Sequence, residues 1–243
     1  MPYRRLPNTD SARCKALRKA LQKGKENPPF KLAFSQTTYQ KILSFLPAFE
    51  KSIKQQQSTY QNQIEKNKDY HKKLKKAKLY ISHFIQVVNM AIQRGELPVS
   101  IRENYGLSGY GKKLPPLTTE ESIVKWGQVL IDGEAARIRK GQSPITNPTI
   151  AVVKVRYEKF LEAYRNQKSL QQSNTRAHNQ LAEMRPQADE IISCVWNEVE
   201  ASFKELPDHL RREKANDYGL VYVFRKNEEK TETAFKSARL GIS

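Results

Sequence analysis

Few residues in this chain are arranged for chemistry. The stretch Gly106-Leu-Ser-Gly-Tyr-Gly-Lys-Lys113 comes within one residue of the phosphate-cradling pattern GxxxxGK[ST], but Lys113 stands where a magnesium-binding hydroxyl is required. That loop works between a buried strand and the N-terminus of a helix. Here a polar segment precedes it and Leu114-Pro-Pro follows, so a turn whose glycines take positive φ is expected instead. A carboxylate-bridged metal pair needs Glu-x-x-His on inward helix faces, and the residues three before His71, His83, His178 and His209 are Lys68, Tyr80, Thr175 and Leu206. Cys14 and Cys194 show no CxxC or Cys/His spacing, and no GxSxG nucleophile elbow occurs. Cys194 reads as an inert buried thiol. Cys14 lies among cations that lower a thiol pKa, yet no catalytic partner is indicated. The expectation is a non-enzymatic protein with no catalytic residue, metal or cofactor.

What remains is charge. The 243 residues carry 43 Lys and Arg against 25 Asp and Glu, a formal net charge of +18. Residues 1–34 hold nine basic and two acidic side chains, and residues 67–95 hold seven against one, so two short zones supply most of the excess. In the first, Arg4, Arg5, Arg13, Lys15, Arg18 and Lys19 surround Leu17 and Leu21, which are four apart on one helix face. In the second, Lys72, Lys73, Lys75, Lys76 and Lys78 flank an inner stripe of Leu74 and Ala77. Such clusters are either solvated faces that keep helices apart or surfaces that neutralise phosphates and release counterions. Lysine predominates in the second zone and lacks the bidentate fork that arginine offers to a base, so contact without base reading is expected. Of the eleven Tyr, Tyr70 and Tyr80 flank the lysines and are the candidates for stacking on a base, whereas Tyr39, Tyr60, Tyr157 and Tyr164 fall on inward faces.

The elements that must position these zones read as helix almost throughout. Thr9 or Asp10 caps a basic N-terminal helix that stops near Gly24, and residues 1–34 form this helix and its linker. From Ser35 an apolar stripe runs through Tyr39, Ile42, Leu46, Phe49, Ile53 and Tyr60. It resumes at Leu74 and continues through Ile81, Phe84 and Val88. Residues 48–94 lack Gly and Pro, but Gln56, Gln63 and Asn67 take inward positions, so an antiparallel hairpin turning near Lys66 to Asp69 is expected over residues 35–117. Pro47 should kink the first arm unless it marks the true start. Residues 118–147 hold a bridging helix, opened by Thr118 with Glu121 as a capping box and shortened or bent at Gly127 and Gly133, and a linker ending at Asn147, the expected cap of a helix whose first position is Pro148.

Residues 148–227 repeat the plan. A shift of 107 places Leu74, Ala77, Ile81, Phe84 and Val88 on Leu181, Met184, Ala188, Ile191 and Val195. After each second arm come Glu-Leu-Pro, at 96–98 and 205–207, and Tyr-Gly-Leu, at 105–107 and 218–220. Leu220 to Phe224 reads as a strand whose partner is Leu107 to Tyr110 or a second molecule, and residues 228–243 form a tail. The fold class expected is all-α: long antiparallel helical hairpins duplicated into a four-helix-bundle-like core, with extra N-terminal and bridging helices and a minor β-ribbon.

The opening Met1-Pro-Tyr-Arg-Arg-Leu-Pro-Asn-Thr-Asp10, with Ser11-Ala-Arg after it, resembles the start of a group of uncharacterised bacterial all-helical proteins. The resemblance implies a bacterial cytoplasmic protein and carries no activity or site. No apolar run approaches a membrane span or a signal peptide, and two distant cysteines suit a reducing compartment. The partner expected is nucleic acid or another polyanion, held without strong sequence preference. The rival is a scaffold whose helical hairpins pair with a protein partner or with a second copy.

Overall fold

The structure, a computed structural model, describes residues 2–224. The tail 228–243 and the last residues of segment 148–227 lie outside the described residues. The architecture is all-α: α1 (Asp10–Glu26), α2 (Gln36–Gln93), α3 (Glu120–Arg139), α4 (Ile150–Ser202) and α5 (Asp208–Asp217), with β1 (Tyr3–Arg4) paired antiparallel to β2 (Tyr222–Val223). The strand near Leu220 therefore finds its partner at the N-terminus, Tyr3 opposite Val223 and Arg4 opposite Tyr222, and not at Leu107 to Tyr110.

The expected hairpins do not exist. Lys66 to Asp69 are helical, and α2 is one helix of 58 residues; α4 is one of 53. The inward polar positions read as a turn are answered in kind by α4. Asn174 Nδ2 donates to Gln63 Oε1 over 2.9 Å, and Gln167 Nε2 donates to Asn67 Oδ1 over 3.4 Å. Gln63 is half-buried and Asn67 exposed, so solvent and these partners satisfy the amides of α2 and the helix has no reason to break. Tyr60, expected on the inward stripe, is exposed. Pro47 lies inside α2, exposed, eleven positions after its start at Gln36.

Two compact units cut across the expected segments. One is Met1–Ser58 with Thr175–Ser243; the other is Thr59–Asn174. Each contains one half of α2 and one half of α4. In the first unit, Cys14, Leu17 and Ala20 of α1 share an apolar cluster with Ile42 and Phe49 of α2 and Trp196 of α4. Gly24 lets α1 approach Tyr39, since a Cβ there would lie 2.2 Å from the ring. In the second, Trp126 and Leu130 of α3 share a cluster with Ile81 and Phe84 of α2 and Tyr157 and Phe160 of α4. Gly127 and Gly133, expected to shorten or bend α3, sit inside a helix of 20 residues and serve close packing. A Cβ on Gly133 would come within 2.2 Å of the Asn104 carbonyl oxygen.

Each unit uses the same punctuation. Thr9 and Thr119, rather than Thr118, are N-caps whose hydroxyls accept from Ala12 N and Ser122 N, both at 3.2 Å. Pro98 precedes the 3₁₀ helix Val99–Tyr105 as its N-cap, and Pro207 does the same for α5. The two Tyr-Gly-Leu sequences close those helices as Schellman motifs: Leu107 N to Arg102 O with Gly106 N to Glu103 O, and Leu220 N to Ala215 O with Gly219 N to Asn216 O. Gly106 and Gly219 take φ of 65° and 95°, which explains glycine at both. The linker before α4 ends later than expected, with helix from Ile150 and not from Pro148.

Candidate polyanion-binding surface

The first basic zone lies in the first unit, and the structure sorts the six candidate cations named there into two groups. Arg4 bonds Asn197 Oδ1 at 2.7 Å and Glu200 Oε2 at 3.1 Å, with its guanidinium over the Trp196 ring. Arg13 forks onto Asp189, Nε to Oδ1 at 2.8 Å and Nη2 to Oδ2 at 2.9 Å, and this pairing holds its pKa above the ordinary value. Arg185 forks onto Asp10 in the same way, both bonds at 2.9 Å, fixing the first residue of α1 against α4. Arg18 pairs with Glu50. These cations tie α1 and β1 down.

Arg5, Lys15 and Lys19 form the second group. They line a cleft of about 400 Å³ with Leu6, Val221 and Val223, and among the described residues no acidic side chain lines it. Lys19 Nζ donates to the Asn216 carbonyl at 3.0 Å, a cation on the last turn of α5. Lys15 and Lys19 also line a neighbouring cleft with Arg18 and Lys54, where the one carboxylate among the described residues, Glu50, is already held by Arg18. The two lysines, one helical turn apart on α1, thus form a ridge shared by two cationic clefts.

The second zone lies on α2 within the second unit. Lys72, Lys75, Lys76 and Lys78 are exposed, while Leu74 and Ala77 turn inward as the spacing predicts. Lys73 is half-buried and bonds Asp69 Oδ2 at 2.9 Å. The Asp69 carboxyl is held below its ordinary pKa, first by that hydrogen bond and then by the fields of Lys73, Lys72 and Lys66. Tyr70, a candidate for stacking, is not available: it is 4% exposed and its hydroxyl donates to Glu120. Tyr80 is half-buried with the Arg156 guanidinium over its ring, 5.5 Å from the centroid.

No protein-family model matches the chain, and no curated protein or solved structure matches it.

Among the described residues no three His, Cys, Asp or Glu side chains gather in a way that would hold a metal ion, and no helix is long and apolar enough to cross a membrane. Gly106 to Lys113 is a capped turn, with φ of 65° at Gly106 and 56° at Gly111. Burial pushes the Cys14 thiol pKa up, and the nearby Glu50 adds to the rise, so the lowering expected from its basic helix, of which only the Arg18 field is felt, is overcome. Cys194, expected buried, is half-exposed.

Sequence reasoning missed one polar cluster. Glu134 and Arg137 of α3 are 0% and 1% exposed. Glu134 Oε2 accepts from Arg137 Nε at 2.8 Å and from the Tyr105 hydroxyl, while Oε1 accepts from Ile145 N at 2.7 Å. Arg137 Nη2 also donates to the Ser143 carbonyl, and Nη1 reaches Gln142 Oε1 at 3.4 Å. Desolvation pushes the Glu134 pKa up, but the bonds from Arg137, Tyr105 and Ile145 outweigh it and the net shift is downward. The available signal was an acid and a base three apart beside Gly133, on the face that carries Leu130. With its donors and acceptors satisfied inside the protein, the cluster fastens the loop after α3 and offers nothing to a substrate.

Proposed function

We propose that the protein is a non-enzymatic binder of nucleic acid or a similar polyanion, cytoplasmic and bacterial, acting through the Lys15–Lys19 ridge of α1 and the lysine face of α2. The observation that carries this reading is the sorting of cations: those needed to hold the fold are paired with carboxylates, and the remaining ones cluster. Binding would be governed by phosphate contact and counterion release and would show little sequence preference.

The shared punctuation supports an internal repeat, and the repeat strengthens the reading. At the shift of 107 residues, Lys72, Lys73, Lys75 and Lys76 correspond to Asn179, Gln180, Ala182 and Glu183, and Lys78 to Arg185, which is tied to Asp10. The same scaffold therefore stands without a lysine face in its second copy. The lysines are thus not a requirement of the scaffold, which supports a role in binding.

The test is fluorescence anisotropy with a labelled duplex and a labelled single strand, comparing the native protein with Lys15→Gln/Lys19→Gln and with Lys72→Gln/Lys75→Gln/Lys76→Gln/Lys78→Gln. Weaker binding by both variants with unchanged circular dichroism is expected. Equal binding by all three proteins would overturn the assignment. A discrete oligomer without polyanion affinity would favour the scaffold reading.

A further inference from the structure

Within the second unit, α2 and α4 enclose a groove of about 510 Å³ where the apolar stripe gives way to amides, a volume in the range of small-ligand sites. Asn62 and Lys66 line it from α2, and Asn166 and Gln167 from α4. Gln167 is 6% exposed, and its Oε1 is buried without a hydrogen-bond partner. An orphaned buried acceptor costs about 1–3 kcal/mol, so it calls for an N–H or O–H donor. The carboxamide is also loosely held, since its Nε2 reaches Asn67 Oδ1 over a long 3.4 Å. Gln167 lines the groove, and a ligand edge that replaces the Asn67 bond would meet a donor and an acceptor side by side.

A carboxamide meets the edge of an adenine in that way, and Asn62 and Asn166 offer two more such groups at the rim. The cations lining the groove are Lys66 and Lys73. Lys73 already neutralises Asp69, the one acidic side chain among the described residues that line it, which leaves Lys66 for a phosphate. We propose that this groove receives one unpaired adenine-type nucleotide, its phosphate at Lys66 and the amino-bearing edge of its base against Gln167. The site rests on the polyanion reading, since the lysine face of α2 would deliver the strand to it, but it adds a preference that the lysines alone do not have.

The experiment is a titration of ¹⁵N-labelled full-length protein followed through the side-chain amide resonances. The probes are adenosine 5′-monophosphate, adenosine and ribose 5-phosphate. Adenosine 5′-monophosphate is expected to move the Gln167 amide pair and to bind about tenfold more tightly than ribose 5-phosphate, the value of one good base contact. Gln167→Leu should abolish that difference. Lys66→Gln, an exposed change that leaves the core alone, should weaken the nucleotide and leave adenosine unaffected. Equal binding of the nucleotide and ribose 5-phosphate, or no movement at Gln167, would overturn the proposal. If the duplex of the preceding test binds while Gln167 stays still, the groove alone fails. If Gln167 responds and the duplex does not bind, the groove stands and the polyanion reading fails.

Discussion

Glu134 and Arg137 form an ion pair three residues apart on α3 with both side chains out of solvent, Arg137 Nε lying 2.8 Å from Glu134 Oε2. Each charge is compensated by the other and by hydrogen bonds from Tyr105 and Ile145 and to Ser143. Removing one member strands the other. Glu134→Gln is expected to destabilise the second unit by about 3 kcal/mol or more, and Glu134→Leu with Arg137→Leu by less than the sum of the single changes. Urea denaturation of the native protein, Glu134→Gln, Glu134→Leu, Arg137→Leu and the double leucine variant checks this; additive losses in the leucine series would show that the two side chains act independently.

The same carboxylate sets a pH dependence. Its native pKa lies below the ordinary value of 4.5, so the folded state binds its proton less readily than the unfolded chain does. Its contribution is therefore full above pH 4.5 and is lost as pH falls through the native value. Thermal unfolding of the native protein and Glu134→Gln should differ most near pH 7, and the gap should narrow in acid. A gap that widened in acid would reverse the sign of the argument.

Gly133 and Gly127 are packing glycines of unequal tolerance. A methyl on Gly133 meets the Asn104 backbone oxygen at 2.2 Å, and one on Gly127 meets the Tyr157 ring at 2.3 Å. Alanine gains about 1 kcal/mol in a helix interior, but overpacking costs about 1–3 kcal/mol. Gly133→Ala is expected to lower stability, and to do so more than Gly127→Ala, because a ring can shift where a backbone carbonyl cannot. Melting temperatures of the two variants give the order.

Arg13 and Lys15 lie two residues apart on α1 and separate structure from binding. Arg13→Ala breaks the fork to Asp189 and should lower the melting temperature while leaving the salt dependence of nucleic-acid binding unchanged. Lys15→Gln should lower the slope of log K against log salt by about one and leave the melting temperature alone.

The helical class, the inward stripe from Ile42 to Phe49 and from Ile81 to Val88, and the Thr9 cap were legible because each is written in local spacing and residue type. The unbroken α2 was not. Gln63 and Asn67 look like a break in an apolar stripe, and only Asn174 and Gln167, more than 95 residues away, reveal them as half of an amide ladder. The first basic zone was legible as charge but not as two populations, because Asp189, Glu50 and Glu200, which claim Arg13, Arg18 and Arg4, are contributed by α2 and α4. Tyr3 and Arg4 lacked any periodic signal in two residues, and the strand that pairs them follows α5.

The most direct test of the central claim is the salt dependence of binding to a labelled duplex between about 50 and 200 mM monovalent salt. If the Lys15–Lys19 ridge and the lysines of α2 hold phosphates, binding at the low end should be micromolar or tighter, and log K should fall linearly with log salt, by about 0.9 for each phosphate neutralised. Absence of binding at about 50 mM salt, or affinity that does not change across the range, would contradict it.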